Sequence, residues 1–465
     1  MTLLLRCISL AGLLSIANAS AQAPAAPVGT RATDLPLYLD SARASLRALT
    51  ICSGLWSGKQ TMKQMEQHIL NPPGELKTEV DSGRRTVAVT YSPSMPPRIA
   101  VWRKVLGCAQ LPVGATMEAA NYLPQVPASL EPPDFDDQPW PMGDQGATAE
   151  LPKAQHQALD KLLTNAFDGT TYGGTTWGII VVKDGKIVAE RYALGFDMHI
   201  GHQTHSAAKS FAATLAGIAT RKNALDLQRA GALLEWRRPG DPRGRITAEH
   251  LLHMTSGLYG EGGGSPQSDI YFQGGTVAEL AATNLLLTLP GTRFLYNPPD
   301  TMLLVRAIRQ AVNDDQQFMT YPYQEMYWKI GMTRTVTTTD WNGDFLMSGQ
   351  TYSTARDFAR FGLLYLADGV WNGTRILPQG WASYVATPGP VQPADSGPGY
   401  GAQFWLYGGQ AGLPKDAFSP RGAEGQFVMI VPSRNTLIVR RGIDLGSSFR
   451  MDRFAADVLA TLTSH

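Results

Sequence analysis

The stretch SAAKSFAATLAGIA, residues 206–219, decides the fold prediction, because it places a serine and a lysine at the start of an apolar helix. Ser206 and Lys209 are three residues apart and therefore share one helical face. A serine hydroxyl is a weak nucleophile that needs a base, and a lysine in an apolar wall loses its proton more easily. The helix start also offers backbone N–H groups to an oxyanion. The stretch thus fits an acyl-enzyme mechanism, but it also fits an N-cap serine followed by a solvated lysine.

A β-hairpin is predicted just before this helix. Residues 177–183 (WGIIVVK) and 186–192 (KIVAERY) have strand character. They are separated by Asp184-Gly185, a pair that supplies the positive φ angles of a two-residue turn. The two segments should therefore pair as neighbouring antiparallel strands.

The C-terminal region is predicted to contribute further strands to the same sheet. Residues 426–431 and 436–441 read as another strand pair, and 449–462 have helical spacing. The middle of the chain, 206–390, is mostly helical with irregular loops. Strands at both ends with helices between them predict an antiparallel sheet built from distant segments and covered by helices, an α/β (α+β) fold.

Three further motifs carry a resemblance to a known protein family. They are ITAEHLLHMTSGL at 246–258, FLYN at 294–297 and GAEGQ at 422–426. With the Ser-x-x-Lys motif in front of them, the chain resembles the serine β-lactamase and penicillin-binding-protein superfamily. It is most similar to the class C-like branch that contains esterases and 6-aminohexanoate-dimer hydrolases. The resemblance covers about 155–462 and implies a β-lactamase-like antiparallel sheet flanked by helices, plus a helical subdomain.

The resemblance also implies catalytic roles. Ser206 would be the nucleophile, and Lys209 would take its proton. Tyr296 matches the tyrosine of a Tyr-x-Asn motif, which assists the lysine and protonates the leaving group. The backbone N–H groups of Ser206 and Gln426 would form the oxyanion hole. No metal or organic cofactor is expected for this chemistry.

The Tyr-x-Asn motif departs from the family pattern. Its third position is Pro298, which has no side-chain amide to donate to the lysine or to a substrate. Either Asn297 or a distant group takes that role, or nothing does, and Asn297 is our candidate substrate-binding residue. Asp300, after the double proline, is predicted to cap the next helix.

The second departure concerns substrate charge. The Lys-Thr-Gly triplet of β-lactamases aligns with Ala423-Glu424-Gly425, so the lysine that binds the β-lactam carboxylate is missing. Gly425 lies in the segment matched to the substrate-binding strand. The alanine and the adjacent acid favour an esterase or amidase over a β-lactamase. Arg421 could replace the lost cation, which keeps the β-lactam alternative open.

His199, His202 and His205 recur every three residues before the nucleophile. A metal site is one interpretation, but positions i, i+3 and i+6 of a helix converge poorly and Gly201 indicates a loop. No recognisable zinc pattern accompanies them. We predict no metal, and His205, next to Ser206, is expected to line the substrate pocket.

The N-terminus predicts export. Residues 1–21 have the charged start, apolar run and small-residue cleavage site of a signal peptide. In an oxidising compartment, Cys52 and Cys108 are expected to form a disulfide, with two free buried thiols as the alternative. The predicted units are a small N-terminal α+β domain (22–125), a Pro-rich linker (126–153) and a hydrolase domain (154–465). The expected location is the periplasm or the exterior.

Composition limits the partners. Charged residues make up 17%, and 40 basic against 39 acidic side chains leave a net charge of +1. A nucleic-acid partner is therefore not expected. The apolar run of the signal peptide is too short to span a bilayer, and no other run is long enough either. A small-molecule ester or amide is the expected substrate, and no oligomeric state is predicted. The alternatives are a β-lactamase or D-amino acid peptidase, a non-catalytic binding protein, and a metal-dependent hydrolase using the histidines.

Overall fold

The computed structural model describes residues 35–68, 76–260, 274–395 and 397–463. The predicted signal peptide, 1–21, lies outside the described residues. Within them, every helix is too short or too polar to cross a bilayer.

The N-terminal unit packs a long helix against a four-stranded antiparallel sheet, in the order β1-β2-β3-β4. Its elements are α1 (Leu35–Trp56), α2 (Met62–His68), β1 (Thr78–Asp81), β2 (Thr86–Val89), β3 (Arg98–Arg103) and β4 (Gly107–Gln110). Cys52 of α1 and Cys108 of β4 form the predicted disulfide. Both are fully buried among apolar side chains of this unit, so the crosslink fastens the helix to the sheet from inside its core.

The first and the last helix of the second unit cover one face of its large sheet. The other helices form a separate helical layer. In chain order, the helices of this unit are α3 (Lys153–Phe167), α4 (Ala208–Arg221), α5 (Ala248–Leu252), α6 (Val277–Ala282), α7 (Pro298–Val312), α8 (Asp315–Pro322), α9 (Ala355–Leu366), α10 (Trp381–Val385) and α11 (Met451–Thr463).

The strands of the second unit form one large antiparallel sheet and two small ones. They are β5 (Thr175–Lys183), β6 (Lys186–Tyr192), β7 (His202–Gln203), β8 (Val336–Thr337), β9 (Thr351–Ser353), β10 (Val370–Trp371), β11 (Thr374–Arg375), β12 (Gly399–Tyr400), β13 (Trp405–Leu406), β14 (Phe418–Ser419), β15 (Arg421–Gly422), β16 (Gln426–Val431) and β17 (Thr436–Ile443). The large sheet runs β12-β13-β14-β16-β17-β5-β6, with β15 paired to β16; the small sheets are β7-β9-β8 and β10-β11.

The predicted hairpin and the predicted antiparallel sheet are both confirmed. β5 and β6 pair across a turn in which Asp184 and Gly185 have φ of 51° and 81°. β17, from the far end of the chain, pairs with β5 along its length. Local hairpins thus form the two halves of the sheet, and one long-range pairing joins them.

Both faces of the central strands are covered, which explains why these strands are apolar throughout. Successive side chains of a strand point to opposite faces. Ile179 and Ile438 belong to a core with helices α3 and α11, whereas Ile180 and Val439 belong to the core that contains α4 and α9. α9 packs directly on this face of the sheet. α4, which begins just after Ser206, belongs to the same core and has nearly every residue buried.

The prediction that Asp300 caps α7 is wrong. The helix begins at Pro298, and its N-cap position is Asn297, three residues before the predicted cap. Proline suits the first helical turn because its missing N–H has no helical partner there anyway. Asp300 lies inside the first turn and is 1% exposed. Its carboxyl group therefore does not cap the helix and instead takes part in the buried hydrogen-bond network described below.

The Pro-rich segment lies along the second unit. The guanidinium of Arg360 on α9 donates to the carbonyl oxygens of Pro141 and Gly143, at 2.7 and 2.8 Å. Arg334 forms a two-pronged ion pair with Asp136, at 2.7 and 2.6 Å. These contacts anchor the segment, while the exact unit boundaries stay predictions.

Candidate active site

The structure brings Ser206 and Lys209 together at the start of α4. A 3₁₀ turn, His205–Ala207, leads directly into the helix and places the two side chains one turn apart. The Lys209 ammonium nitrogen lies 3.2 Å from Ser206 Oγ and donates to the carbonyl oxygen of Ser348 at 2.6 Å. The lysine nitrogen is thus held directly beside the serine hydroxyl.

Burial makes Lys209 a plausible base. Its side chain is 1% exposed, and burial lowers its pKa from 10.5 to about 7. Desolvation destabilises the charged ammonium, and its partner Ser348 offers a neutral carbonyl instead of a carboxylate that would restore the charge. Near neutral pH a large fraction of Lys209 can therefore accept a proton.

Tyr296 completes the cluster. The hydroxyl is within reach of Ser206, and the Lys209 nitrogen lies 5.2 Å from the tyrosine ring centroid. Burial raises the pKa of Tyr296 to about 12, while Ser206 and the charge of Arg421 act in the opposite direction. The ring packs against Trp405, with centroids 5.3 Å apart. Tyr296 therefore stays protonated near neutral pH and can donate to a leaving group.

Asn297 does not take the place of the missing motif asparagine beside Lys209. Its side-chain amide instead donates to Asp300 Oδ1 at 2.9 Å, and the residue is 2% exposed. Its role in substrate binding stays a prediction. The position next to the lysine is filled by the backbone carbonyl of Ser348, which sequence reasoning missed. A backbone carbonyl leaves no signal in side-chain identity, so no motif could have pointed to it.

The buried carboxyl group of Asp300 accepts hydrogen bonds from the residues around the segment that carries Tyr296. Ser256 Oγ donates to Asp300 Oδ1 at 2.8 Å, alongside the amide of Asn297. Burial raises the pKa of Asp300 to about 7. The backbone N–H of Leu295 also donates to the carbonyl of Met254 at 3.0 Å. The motif at 246–258 thus serves the site indirectly, because it holds the segment that carries Tyr296.

Strand β15 lies alongside the nucleophile. At Gly422 a Cβ atom would overlap the carbonyl oxygen of Thr204 and lie 3.1 Å from His205 Cβ, so only glycine permits this approach. The chain then turns through 423–425 and enters β16. Gly425 has φ of +78° and packs against Arg440, so its Cα faces that guanidinium. The prediction that Gly425 binds substrate is not tested by this placement.

Gln426, at the start of β16, is 1% exposed. Its side-chain amide donates to the carbonyls of Glu424 and Gly442, at 3.0 and 2.6 Å. These bonds fix the residue in the strand that pairs with β15. Its backbone N–H as an oxyanion donor stays a prediction.

His205 has an acidic partner on the turn that follows β15. Its Nε2 lies 3.3 Å from a carboxylate oxygen of Glu424, and this contact lowers the pKa of Glu424. Both residues have positive φ, 47° and 57°. The pair therefore joins the residue before the nucleophile to the turn after β15. That His205 lines the substrate pocket stays a prediction.

The three histidines have three different surroundings. His199 contacts Asp144 at 3.2 Å, and the ring of His202 packs 4.7 Å from that of Trp177. Within the described ranges, the single cluster of three candidate ligand atoms within 4.8 Å contains His199, Asp136 and Asp144. Its carboxylates already pair with arginines. The geometry therefore does not assemble the histidine triplet into a metal site.

Arg421 brings a positive charge near Tyr296. Its guanidinium carbon lies 5.6 Å from the ring centroid of Trp405, the residue that packs on Tyr296. Its charge also acts on Tyr296. The cation therefore lies beside the ring that packs on Tyr296.

The profile of the family described as Beta-lactamase matches residues 160–441, more than half of the chain. The chain belongs to the Beta-lactamase family. The matched range contains Ser206, Lys209 and Tyr296, so the geometry described above lies wholly within the family region. Members of this family are serine hydrolases, and the predicted superfamily is thereby confirmed.

Solved structures share the fold of this Beta-lactamase family member. One, described as a 6-aminohexanoate-dimer hydrolase from Bacillus anthracis, is 22% identical over 74% of this chain and 88% of its own, with a TM-score of 0.53. Another, described as a β-lactamase from Bacteroides dorei, is 20% identical over 66% of this chain and 97% of its own, with a TM-score of 0.54. A family VIII carboxylesterase is 14% identical over 68% and 98%, also with a TM-score of 0.54. A search of curated proteins finds no match. These identities support the fold and leave the substrate open.

Proposed function

We propose that this protein hydrolyses an ester or amide bond through an acyl-enzyme on Ser206. The observation that carries the proposal is the buried Lys209 nitrogen, 3.2 Å from Ser206 Oγ, with a pKa lowered to about 7. A serine hydroxyl becomes a useful nucleophile when an adjacent base can take its proton. Lys209 supplies such a base in a water-poor site.

The proposed reaction uses these groups in turn. Lys209 Nζ takes the hydroxyl proton as Ser206 Oγ attacks the carbonyl carbon. The backbone N–H groups of Ser206 and Gln426 stabilise the oxyanion. Tyr296 donates a proton to the leaving oxygen or nitrogen and regains one from the Lys209 ammonium, so the acyl-enzyme forms with Lys209 neutral again. Lys209 then takes a proton from the water that attacks the acyl-enzyme, and that proton returns to Ser206 Oγ as the acid product leaves.

The charge pattern favours a linear ester or amide over a β-lactam. Ala423 and Glu424 occupy the positions where β-lactamases carry a carboxylate-binding lysine and its neighbour. The Glu424 carboxylate beside His205 adds negative charge to the cleft. An anionic substrate is repelled from that side, because like charges within a cleft raise the cost of binding.

Arg421 favours a second candidate, a β-lactamase or D-amino acid peptidase. Its guanidinium lies over Trp405, next to Tyr296, where it could pair with a substrate carboxylate. This candidate predicts efficient hydrolysis of a chromogenic cephalosporin and a loss of at least about tenfold in kcat/KM in Arg421→Gln, since a charge-assisted hydrogen bond contributes about 1.5–3 kcal/mol. The ester and amide proposal predicts little cephalosporin turnover and a small effect of the same substitution on neutral esters.

A substrate panel tests the proposed function. We expect Ser206-dependent hydrolysis of at least one member of a series of p-nitrophenyl esters and linear anilides, measured on the purified mature chain and on Ser206→Ala. A folded wild-type protein that turns over none of the esters, amides and β-lactams would support the non-catalytic alternative.

Export is also proposed, and the disulfide supports it. A buried Cys52–Cys108 crosslink is typical of proteins that mature in an oxidising compartment. Expression with the native leader followed by intact mass measurement tests the proposal. The mature chain should begin after Ala21; retention of residues 1–21 would contradict it.

A further inference from the structure

A cavity lies where three parts of the chain meet, and it is separate from the catalytic cluster. It has a volume of about 260 Å³ and is lined by the N-terminal unit, the Pro-rich segment and the second unit. Ser206, Lys209 and Tyr296 do not line it. β8, which contributes Val336, is separated from the β7 strand before the nucleophile by β9. The cavity is therefore a site of its own, and a ligand there would contact groups that the proposed reaction does not use.

Tryptophan side chains form the apolar walls of this cavity. Trp56 and Trp102 come from the N-terminal unit, and Trp328 comes from the second unit; all three are partly exposed. Tyr323 also lines the cavity and lies beside Trp328, with ring centroids 5.6 Å apart. Arg85 lies 4.1 Å from the Trp102 centroid and covers one face of that ring. A concave site with several partly exposed tryptophans is suited to a ligand that has flat apolar faces.

The polar groups around the cavity are balanced in charge. Asp134 and Lys59 are exposed residues of opposite sign. Asp136 and Arg334, which also line the cavity, already neutralise each other in a two-pronged ion pair. Thr333 adds a hydroxyl that can both donate and accept. This lining selects neither a strong anion nor a strong cation, and it offers several hydrogen-bonding groups beside apolar walls.

We propose that this cavity binds a neutral pyranose sugar. A pyranose ring has apolar C–H faces, which suit tryptophan walls, and a rim of hydroxyl groups, which suit Asp134, Lys59 and Thr333. The volume lies below the roughly 300 Å³ at which pockets for drug-sized ligands begin, so it fits about one ring. The N-terminal unit then acquires a binding role, because it supplies two of the three tryptophans. This inference does not depend on the proposed hydrolytic function.

Binding should be measured on the mature full chain by saturation-transfer NMR and by quenching of tryptophan fluorescence. The probes are glucose, N-acetylglucosamine and its trisaccharide, with choline as the cationic probe and inorganic sulfate as the anionic one. We expect saturable binding of a sugar with a Kd of about 1 mM, equivalent to about −4 kcal/mol, and none of choline or sulfate. Equal affinity for mono- and trisaccharide indicates a free sugar, and tighter binding of the trisaccharide indicates a glycan chain; both support the proposal.

Variants locate the site. Trp328→Ala and Asp134→Ala should each weaken sugar binding, the former by tenfold or more. Because the Asp134 carboxylate also accepts from the backbone N–H of Asp136 at 3.2 Å, thermal unfolding of each variant is compared with that of the wild type. Trp341→Ala is the matched control, since Trp341 is partly buried and does not line the cavity. Ser206→Ala should bind sugar as the wild type does. Absence of saturable sugar binding, binding unchanged in both cavity variants, or preferred binding of choline or sulfate would each overturn the proposal.

Discussion

The ammonium nitrogen of Lys209 donates to the backbone carbonyl of Ser348 at 2.6 Å. This bond aims the lysine at the nucleophile without adding a negative charge beside it. A carboxylate in that position would stabilise the ammonium form and raise its pKa. The neutral carbonyl leaves the pKa of Lys209 lowered to about 7 by burial, so one contact both orients the base and keeps it able to accept a proton.

Replacement of Lys209 should separate charge from basicity. Lys209→Arg keeps a positive charge but cannot deprotonate, and Lys209→Met keeps the apolar length without any charge. We expect both variants to lose about 100-fold or more in kcat, because a positioned general base contributes about 10²–10⁴-fold. Lys161→Met, on the exposed side of α3, is the control and should be unaffected. Near-normal turnover by Lys209→Arg would show that the lysine acts only through its charge.

The pH dependence of activity should follow the deprotonation of Lys209. Burial lowers its pKa to about 7, and the neutral form is the active base. The value of kcat/KM is therefore expected to rise as pH increases through about 7 and then to level off. Tyr296, with a pKa raised to about 12 by burial, stays protonated in this range. A profile that falls between pH 6 and 8 would rule out a neutral lysine as the base.

Tyr296→Phe should affect substrates according to their leaving groups. An amide nitrogen must be protonated as it leaves, whereas p-nitrophenolate leaves readily without a proton. We therefore expect a large loss in kcat for anilides, about 100-fold, and a smaller loss for p-nitrophenyl esters. Steady-state kinetics on the two substrate types measure the difference. Equal losses on both would assign Tyr296 to the activation of Ser206 instead.

Asp300 should be replaceable by asparagine. Burial raises its pKa to about 7, so the protonated acid predominates below neutral pH, and asparagine has nearly the same shape. Asp300→Asn should retain the fold, whereas Asp300→Leu leaves the Ser256 hydroxyl and the Asn297 amide without their acceptor and should cost about 1–3 kcal/mol of stability or more.

The same carboxyl group predicts a pH effect on stability. Its pKa is 3.8 when unfolded and about 7 when folded. The unfolded state therefore ionises first, and this contribution to stability is present below about pH 3.8 and lost as pH rises towards 7. Thermal unfolding between pH 4 and 7 should show that slope in the wild type and less of it in Asp300→Asn; identical slopes would contradict the assignment.

Local patterns predicted much of the sheet and the reacting side chains. The hairpin at 177–192 follows from strand periodicity and Asp184-Gly185, and Ser206 and Lys209 meet because helical spacing requires it. Tyr296 was placed by its motif. In each case the signal lies within a few residues of sequence, where backbone geometry alone fixes the relationship.

The missed features arise from tertiary contacts. Ser348 acts through its backbone, which is common to every residue type. Asn297 turns towards Asp300 because that carboxyl group is buried beneath it, a relationship hidden by the wrong prediction that Asp300 caps the helix. The pairing of His205 with Glu424 joins distant parts of the chain. Such partners are chosen by packing, and a single sequence contains no spacing that reveals them.

Covalent labelling of Ser206 tests the central claim most directly. The mature wild type and Ser206→Ala would be incubated with a fluorophosphonate, which reacts with activated serines, and their intact masses measured. The account predicts one adduct on the wild type and none on Ser206→Ala, with peptide mapping to the segment that contains residue 206. A folded wild-type protein that gains no adduct, or an adduct that persists in Ser206→Ala, would contradict it.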